Sequence, residues 1–129
     1  MLNSNKQVKV DGNCIKGIVS IARDYHTLQC SIIWHFKSLN AGITLSFLLI
    51  KAERYDFDTE FSYSIQQLSQ DLGLTQRAIR IVFKQLEKEK ILIKTSKQGN
   101  PPYQFYLVDT EKVAKIYKDY IQQVKNYKV

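Results

Sequence analysis

The stretch LSQDLGLTQRAIRIVFKQLEKEKIL, from Leu68 to Leu92, carries the strongest structural signal in the chain. Its pattern predicts a short helix, a turn at Gly73 and a second helix that is followed directly by a strand. A helix that only needs to bury an apolar stripe tolerates almost any polar residue on its outer side. The second helix places Arg77, Arg80 and Lys84 there, and this concentration of cations needs a physical explanation.

Local signals define where the two helices begin and end. Ser64, with Gln67 three residues later, forms a capping box that should start the first helix. Gly73 should end that helix as a left-handed cap. Thr75 is a good N-cap for the second helix, because its hydroxyl oxygen accepts a hydrogen bond from a free backbone N–H group.

The second helix has two different sides. Four apolar side chains recur at helical spacing and should face the core; they are Ile79, Val82, Phe83 and Leu86. The opposite side is polar and mostly basic, and it comprises Gln76, Arg77, Arg80, Lys84 and Lys88. The pattern therefore predicts a helix that is packed on one side and exposed on the other.

After Lys90 the apolar period changes from helical to alternating. The runs ILI and YQFYLV alternate, the second through Tyr103, Phe105 and Leu107, and the turn-rich segment QGNPP lies between them. Two such runs, joined by a loop of about five residues that contains a glycine, predict a β-hairpin. The polar side chains along its first strand and loop include Lys94, Lys97, Gln98 and Asn100.

Residues 1–40 are interpreted as an N-terminal extension that is helical in part. The segment LNAG, residues 39–42, predicts a helix stop. The very apolar run from Ile43 to Arg54 then predicts a helix that is central to the core. One helical stripe before the stop consists of Leu28, Ile32, Phe36 and Leu39.

The central domain is assigned to residues 41–109 and a C-terminal helix to residues 110–129. Asp109 or Thr110 should cap this last helix. Its apolar and aromatic stripe has two interpretations: it packs on its own domain, or it pairs with the same helix of a second subunit. Lysines lie on the opposite side of the helix.

Composition describes an ordinary soluble domain. The chain has 129 residues, 44% of them apolar and 24% charged, which suits one domain with a single core. The N-terminal segment MLNSNKQVKVDGNC is polar, unlike a secretion signal. The most apolar window, AGITLSFLLI, has about half the length of a membrane span, so we expect a cytoplasmic protein without membrane contact.

The net charge of +7 is concentrated in one part of the chain. Residues 1–76 contain seven Lys and Arg residues and seven acidic residues, whereas residues 77–129 contain twelve and five. A face that binds a polyanion produces this asymmetry. A solvated lysine-rich surface is the alternative explanation.

The sequence argues against catalytic, metal and cofactor sites. It contains no glycine-rich phosphate loop, no nucleophile elbow and no His beside a carboxylate at catalytic spacing, so we expect neither an enzyme nor a cofactor. The acidic segment YDFDTEFSY lacks the glycine of a calcium loop and is interpreted as solvated. Two further sets are interpreted as packing: the zinc-type set Cys14, His26, Cys30 and His35, and the aromatic set Trp34, Phe36 and Phe47.

The segment YSIQQLSQDLGLTQRAIRIVFKQLEKEKILIKTSKQGNPPYQFYLV, from Tyr63 to Val108, resembles the winged helix-turn-helix domains of bacteria and their phages and plasmids. It is similar to multi-drug-resistance-type and penicillinase-repressor-type transcriptional regulators. It is also similar to DnaD-like replisome organisers and plasmid replication initiators. The resemblance implies a mainly α fold with a small β-hairpin wing (α+β), extended by N-terminal helices and a C-terminal helix.

This resemblance implies a protein that binds double-stranded DNA, with a recognition helix at about residues 75–89 in the major groove. Gln76, Arg77 and Arg80 would then contact bases. The remaining expected contacts are to phosphates, from Thr75, Lys84 and Lys88, and to the backbone or minor groove, from the wing residues Lys94, Lys97, Gln98 and Asn100.

The most favoured function is a sequence-specific transcriptional regulator, expected as a homodimer on two half-sites. A phage or plasmid replication initiator that binds origin DNA is the first alternative, and a protein–protein adaptor or inhibitor is the second. Two residues leave local alternatives open. Arg77 would contact DNA, pair with Asp71 or cap a neighbouring carbonyl group, and Ile81 would contact either thymine methyl groups or the N-terminal helices.

Overall fold

The computed structural model describes residues 22–54, 57, 59–99 and 103–127. These residues form five helices and one small three-stranded antiparallel sheet. The result confirms the predicted mainly α, α+β class. In chain order the elements are α1 (Ala22–Phe36), α2 (Leu39–Glu53), β1 (Phe61–Ser62), α3 (Ile65–Leu72), α4 (Gln76–Lys88), β2 (Leu92–Gln98), β3 (Tyr103–Val108) and α5 (Thr110–Tyr127).

One apolar core joins elements from both ends of the described chain. Helix α2 is central, as predicted, because Leu45 and Leu49 are completely buried. Helix α1 contributes Leu28 to the same cluster and α5 contributes Val113. Helix α5 packs against α1, which corresponds to the first of the two interpretations of the C-terminal helix. Among the described residues, no helix is both long and apolar enough to cross a membrane.

The boundary between α1 and α2 differs from the prediction. The expected stop at residues 39–42 is wrong, since α2 already begins at Leu39. Lys37 leaves the helical conformation with φ 53°, and the Ser38 hydroxyl caps α2 by accepting a hydrogen bond from Ala41 N at 3.1 Å. Leu39, expected on a buried stripe, is 63% exposed at the start of the new helix.

Gly42 serves helix packing and does not end a helix. A Cβ atom at this position would lie 2.2 Å from Ile33 Cγ1. Glycine therefore allows α2 to approach α1 more closely than any larger residue. Gly42 is therefore a contact point between two helices. The sequence predicted a helix stop here because the contact with Ile33 cannot be recognised from the local pattern.

The capping signals around α3 and α4 are confirmed. Ser64 Oγ accepts from Gln67 N at 2.9 Å, and Gly73 ends α3 with φ 71°. Thr75 Oγ1 accepts from Ala78 N at 3.1 Å. The Gln67 side chain, the second member of the predicted capping box, donates through Nε2 to Asp71 Oδ1 at 3.0 Å.

The hairpin is confirmed, but the alternation through Tyr103, Phe105 and Leu107 does not mark its buried face. In the sheet order β1–β3–β2, β3 is the central strand. Tyr106 and Val108 are buried, whereas Tyr103 is 56% exposed. The Tyr106 ring packs edge-to-face on Phe83 of α4 at 5.6 Å. Contact with α4 therefore selects the face, and the alternation of apolar residues within β3 alone does not reveal it.

Strand β1 and the N-cap of helix α5 both adjoin the central strand β3. The two-residue strand β1, which sequence analysis did not predict, pairs Phe61 with Tyr106. Asp109 caps α5, as expected, because its Oδ1 accepts from Glu111 N at 3.1 Å and from Lys112 N at 3.2 Å.

Candidate nucleic-acid interface

Helix α4 is held by its apolar side and exposes its basic side. Ile79, Val82, Phe83 and Leu86 are all buried, as predicted from their spacing. At roughly 100° per residue, the opposite side carries Arg77, Arg80, Ile81, Lys84 and Lys88, and Gln76 lies at its edge in the first turn. All six residues are exposed. The structure therefore brings all the predicted α4 site residues onto one surface, which we call the basic face.

The start of α4 is held in a defined geometry at the end of the basic face. Because Thr75 Oγ1 accepts from Ala78 N, its hydroxyl proton stays available to an external acceptor. The backbone N–H groups of Gln76 and Arg77 belong to the first turn, which has no intrahelical acceptors. A helix N-terminus with such donors attracts anions.

Two side chains of the basic face are already hydrogen-bonded to each other. Arg80 Nη2 donates to Gln76 Oε1 at 3.1 Å, one helical turn apart. The guanidinium has five N–H donors, so this bond leaves most of them available. The amide group of Gln76 also keeps its own donors. The pair therefore presents several hydrogen-bond donors near the start of α4. The bond between the two side chains also restricts the rotamers that each can adopt.

Arg77 does not form the ion pair with Asp71 that sequence analysis left open. Asp71 instead accepts hydrogen bonds from the Tyr63 hydroxyl and from Gln67 Nε2. Within the described part of the chain, Arg77, Lys84 and Lys88 form no salt bridge. Among these described residues, no carboxylate therefore lies within ion-pair distance of the three charges.

The acidic side chains near α4 lie at its C-terminal end, and each has a partner. Glu87 Oε1 lies 3.8 Å from Lys94 Nζ. Glu89 Oε1 lies 2.8 Å from His35 Nε2, and the Glu89 carbonyl accepts from Lys112 Nζ at 3.2 Å. These contacts attach the end of α4 to α1, β2 and α5. The uncompensated positive charge is therefore greatest along the first three turns.

The predicted hairpin residues do not behave as one group. Lys97 is exposed on β2. Lys94 is exposed too, although it is paired with Glu87. The amide of Gln98 is already committed, since its Nε2 donates to Glu60 Oε1 at 3.1 Å and to Ser96 Oγ at 2.9 Å. Asn100 lies outside the described residues.

Glu60 was missed by sequence analysis. It was read as part of a solvated acidic loop, which is wrong for this residue, since it is half-buried and hydrogen-bonded. The Thr95 hydroxyl donates to its Oε1 at 3.1 Å, and the Ser96 hydroxyl donates to the same oxygen. The partners lie 35 and 36 residues away in sequence, so no local pattern predicts them.

An open polar groove of about 350 Å³ lies where α3 begins, beside β1 and β3. Lys51 Nζ lies 5.3 Å from the centre of the Tyr63 ring, within cation–π range. Burial, with a smaller contribution from the hydrogen bond to Asp71, raises the pKa of the Tyr63 phenol to about 12. The hydroxyl therefore stays protonated at neutral pH and holds the start of α3 to its last turn.

The aromatic set and the zinc-type set identified in the sequence form ordinary side-chain contacts. Trp34 packs on Tyr120 at 5.7 Å and Phe47 packs on Tyr63 at 5.6 Å between ring centres, so these aromatic side chains have separate partners. His26 Nε2 lies 3.7 Å from Cys30 Sγ. In the part of the chain that the structure describes, no three His, Cys, Asp or Glu side chains are grouped to hold a metal ion. Cys14 lies outside that part.

No protein-family model, curated protein or solved structure matches this chain. Its function is therefore inferred from the geometry and charge of the basic face and of the β2–β3 hairpin.

Proposed function

We propose that this protein is a cytoplasmic winged helix-turn-helix protein that binds double-stranded DNA and acts as a sequence-specific transcriptional regulator. The basic face of α4 is the observation that carries the proposal. It combines four exposed cations with the exposed Gln76 and Ile81 and begins beside the exposed N-cap Thr75, while the apolar residues on the other side of the same helix are buried.

The element order supports this proposal. Helix α3, the left-handed turn at Gly73 and helix α4 follow one another, and the β2–β3 hairpin comes directly after α4. In a winged helix-turn-helix the first helix braces the second, which protrudes, and the hairpin forms the wing. The sheet order β1–β3–β2 places the hairpin strand β3 beside β1, which fits that arrangement.

The size and chemistry of α4 suit the major groove of B-DNA. This groove is about 12 Å wide and admits an α-helix with its side chains. Arg77, Arg80 and Gln76 lie in the first turns, which approach base edges most closely in this docking mode. Arginine pairs with guanine and glutamine with adenine through two hydrogen bonds, each discriminating by roughly 1–3 kcal/mol.

The remaining exposed residues of α4 fit the same docking. Lys84 and Lys88 lie further along the basic face, where phosphates pass a helix that occupies the groove. Ile81 is 52% exposed between them and the first turns. An apolar side chain at such a position contacts the methyl group of thymine, which accounts for an exposed isoleucine on a basic surface.

We also propose a homodimer, as the resemblance implies. Val113 and Ile116 of α5 are buried within one chain, so a second subunit would meet the outer edge of α1 and α5. There Trp34 is 37% exposed and packs on Tyr120, and aromatic side chains are enriched at subunit contacts. Such a dimer would span two DNA half-sites about one helical turn apart.

The test is fluorescence anisotropy of a labelled duplex of mixed sequence across a salt series. Variants Arg80→Ala and Lys84→Ala each remove one cation from the basic face. The matched control is Lys115→Ala, which removes one cation from α5, where Lys115 is 77% exposed and paired with Asp119. The three variants have the same net charge, one unit below that of wild type, so a difference between them reports the position of the lost cation.

We expect wild-type affinity to fall steeply with salt. Lys84→Ala, which removes a proposed phosphate contact, should lose up to about 0.9 of the slope of log K against log salt and roughly eightfold in affinity at about 0.1 M salt. Arg80→Ala, which removes a proposed base contact, should weaken binding by roughly 1–3 kcal/mol on a duplex that carries the preferred sequence. The Lys115→Ala protein should bind like wild type. Selection from random duplexes should then enrich a two-fold symmetric motif, whereas enriched direct repeats would indicate a replication initiator.

Two results would contradict the proposal, the first by rejecting DNA binding and the second by rejecting the basic face of α4 as the DNA-binding surface. One is undetectable wild-type binding at low salt, which would assign the basic face to an acidic protein partner. The other is an equal loss in Lys115→Ala and Arg80→Ala, which would mean that net charge alone, and not the basic face of α4, governs the affinity.

A further inference from the structure

Strand β2 contains one residue more than the strand it pairs with. Lys94 pairs with Tyr106 and Lys97 pairs with Gln104, so three steps along β2 correspond to two steps along β3. The extra residue is a β-bulge at Thr95 and Ser96. A bulge interrupts the regular alternation of side chains and changes the face on which every later residue lies.

The bulge places both hairpin lysines on the same face of the sheet as α4. Residues that pair across strands share a face, and Tyr106 faces α4 through its contact with Phe83. Lys94 therefore lies on the α4 face, in agreement with its approach to Glu87. Lys97 pairs with Gln104, two residues from Tyr106, and so lies on that face as well.

Without the extra residue, Lys97 would lie on the other face. In a regular ladder continued from Lys94, Ser96 would pair with Gln104 and Lys97 would pair with Tyr103. The charge of Lys97 would then be directed away from the face of the sheet on which α4 packs. The bulge thus determines whether the hairpin adds a cation to the proposed DNA surface.

Glu60 holds the bulge from the opposite face. It precedes Phe61, which pairs with Tyr106 on the α4 face, so strand alternation directs Glu60 to the other side. There one of its carboxylate oxygens, Oε1, accepts from the hydroxyls of Thr95 and Ser96. Two consecutive residues point to one side only where a bulge is present, so these two bonds are specific to the bulged conformation.

Additional hydrogen bonds complete the arrangement around the bulge. The Gln98 amide donates to the same Glu60 oxygen at 3.1 Å. The Gln104 amide donates at 3.1 Å to the carbonyl of Ser96, one of the backbone groups that a bulge removes from the ladder. Glu60 Oε1 therefore accepts three of the side-chain hydrogen bonds that hold this segment.

We propose that Glu60 is the positioning residue of the hairpin, and that its carboxylate fixes the β2 bulge that brings Lys97 to the DNA-binding face. The role rests on the proposed DNA-binding function. Glu60 itself touches no DNA in this proposal. It acts through Thr95, Ser96 and the face that Lys97 occupies.

The test is a double-mutant cycle in the duplex-binding assay. Glu60→Ala and Glu60→Gln both remove the negative charge, but only Gln retains an oxygen that accepts from the two hydroxyls. The difference between these two variants therefore measures positioning and not electrostatic repulsion. Each is made in the wild-type chain and in the Lys97→Ala chain, with far-UV circular dichroism as the check on folding.

We expect Glu60→Gln to bind duplex at least as tightly as wild type. Glu60→Ala should bind roughly five- to tenfold more weakly than Glu60→Gln at about 0.1 M salt, the effect of one phosphate contact. This gap should disappear in the Lys97→Ala chain, where there is no cation left to position. Equal affinities of the Ala and Gln variants, or a gap that persists without Lys97, would overturn the proposal.

A second readout does not depend on DNA. In the nuclear magnetic resonance spectrum, cross-strand contacts between the backbones of Lys97 and Gln104 should be present in wild type and in Glu60→Gln. In Glu60→Ala they should be lost or replaced by contacts between Ser96 and Gln104. Unchanged contacts in Glu60→Ala would refute the positioning role, whereas absent DNA binding by wild type would refute the proposed function alone.

Discussion

Replacing Gly73 by Ala should destabilise the fold through backbone conformation alone. Gly73 has φ 71° at the end of α3, and its N–H donates to the Ser69 carbonyl at 3.0 Å. A Cβ atom added here meets nothing within 4 Å, so steric overlap with neighbours does not contribute. The residue is exposed, and burial does not change either.

The expected cost follows from two opposing contributions. The left-handed conformation costs a residue with a Cβ atom roughly 1–2 kcal/mol. Alanine also restricts the unfolded chain, which returns about 0.4–1 kcal/mol. The net loss in free energy of unfolding is therefore about 1 kcal/mol, and with a urea dependence of about 2 kcal/mol per M the midpoint should fall by about 0.5 M.

Urea unfolding followed by circular dichroism measures this loss, and asparagine provides the internal control. Asn adopts the left-handed conformation more readily than Ala, so Gly73→Asn should be more stable than Gly73→Ala. Gly42 provides the matched contrast, because there a Cβ atom would overlap Ile33. At position 42 the larger Asn should be less stable than Ala, which inverts the order seen at position 73.

One result would refute the reasoning about this turn. If Gly73→Ala is as stable as Gly73→Asn, or more stable than wild type, then the positive φ is not required to join α3 to α4. An identical order of stability at positions 42 and 73 would also contradict the distinction between a conformational glycine and a packing glycine.

Two further predictions concern pH and association. Because the pKa of Tyr63 is raised from 10.0 to about 12 in the fold, its neutral phenol stabilises the protein fully below pH 10, and this contribution is lost as the pH rises to 12. Tyr63→Phe, which removes the hydrogen bond to Asp71, should be less stable than wild type by about 1 kcal/mol at neutral pH. Urea unfolding should show this difference narrowing above pH 10, and a constant difference up to pH 12 would disprove the assignment. For the homodimer, sedimentation velocity of the wild type should show a dimer, and the double variant Trp34→Ser/Tyr120→Ser should be monomeric with α-helical content retained. A wild-type protein that stays monomeric at all concentrations would exclude it.

The helix–turn–helix segment was predictable because its signals are local. Caps at Ser64 and Thr75 act on residues three positions away, and the apolar period of α4 repeats within one helix. The positions of the exposed cations follow directly from that period. The prediction of α4 and of its basic face therefore needed no knowledge of the rest of the chain.

The errors occurred where distant residues determine the conformation. Gly42 was predicted to end a helix, but its packing against Ile33 shows that it allows two helices to approach closely. The buried face of β3 depends on contact with α4, and β1 is too short to produce an alternation of its own. In the hairpin, sequence identified Lys97 as a candidate, but the face it occupies depends on a bulge and on Glu60, which is 35 or more residues away from the hydroxyls it holds.

Strand β2 is also an outer strand of the sheet, since the order is β1–β3–β2. One of its edges pairs with β3, and the other has no strand partner among the described residues. An open edge of this kind invites the strands of other molecules to add to the sheet, and natural proteins prevent it with lysines and bulges. Strand β2 has both, at Lys94, Lys97 and the intervening bulge. The same irregularity that orients a cation thus keeps separate molecules from joining edge to edge, and a smooth, neutral β2 would favour aggregation even in the absence of nucleic acid.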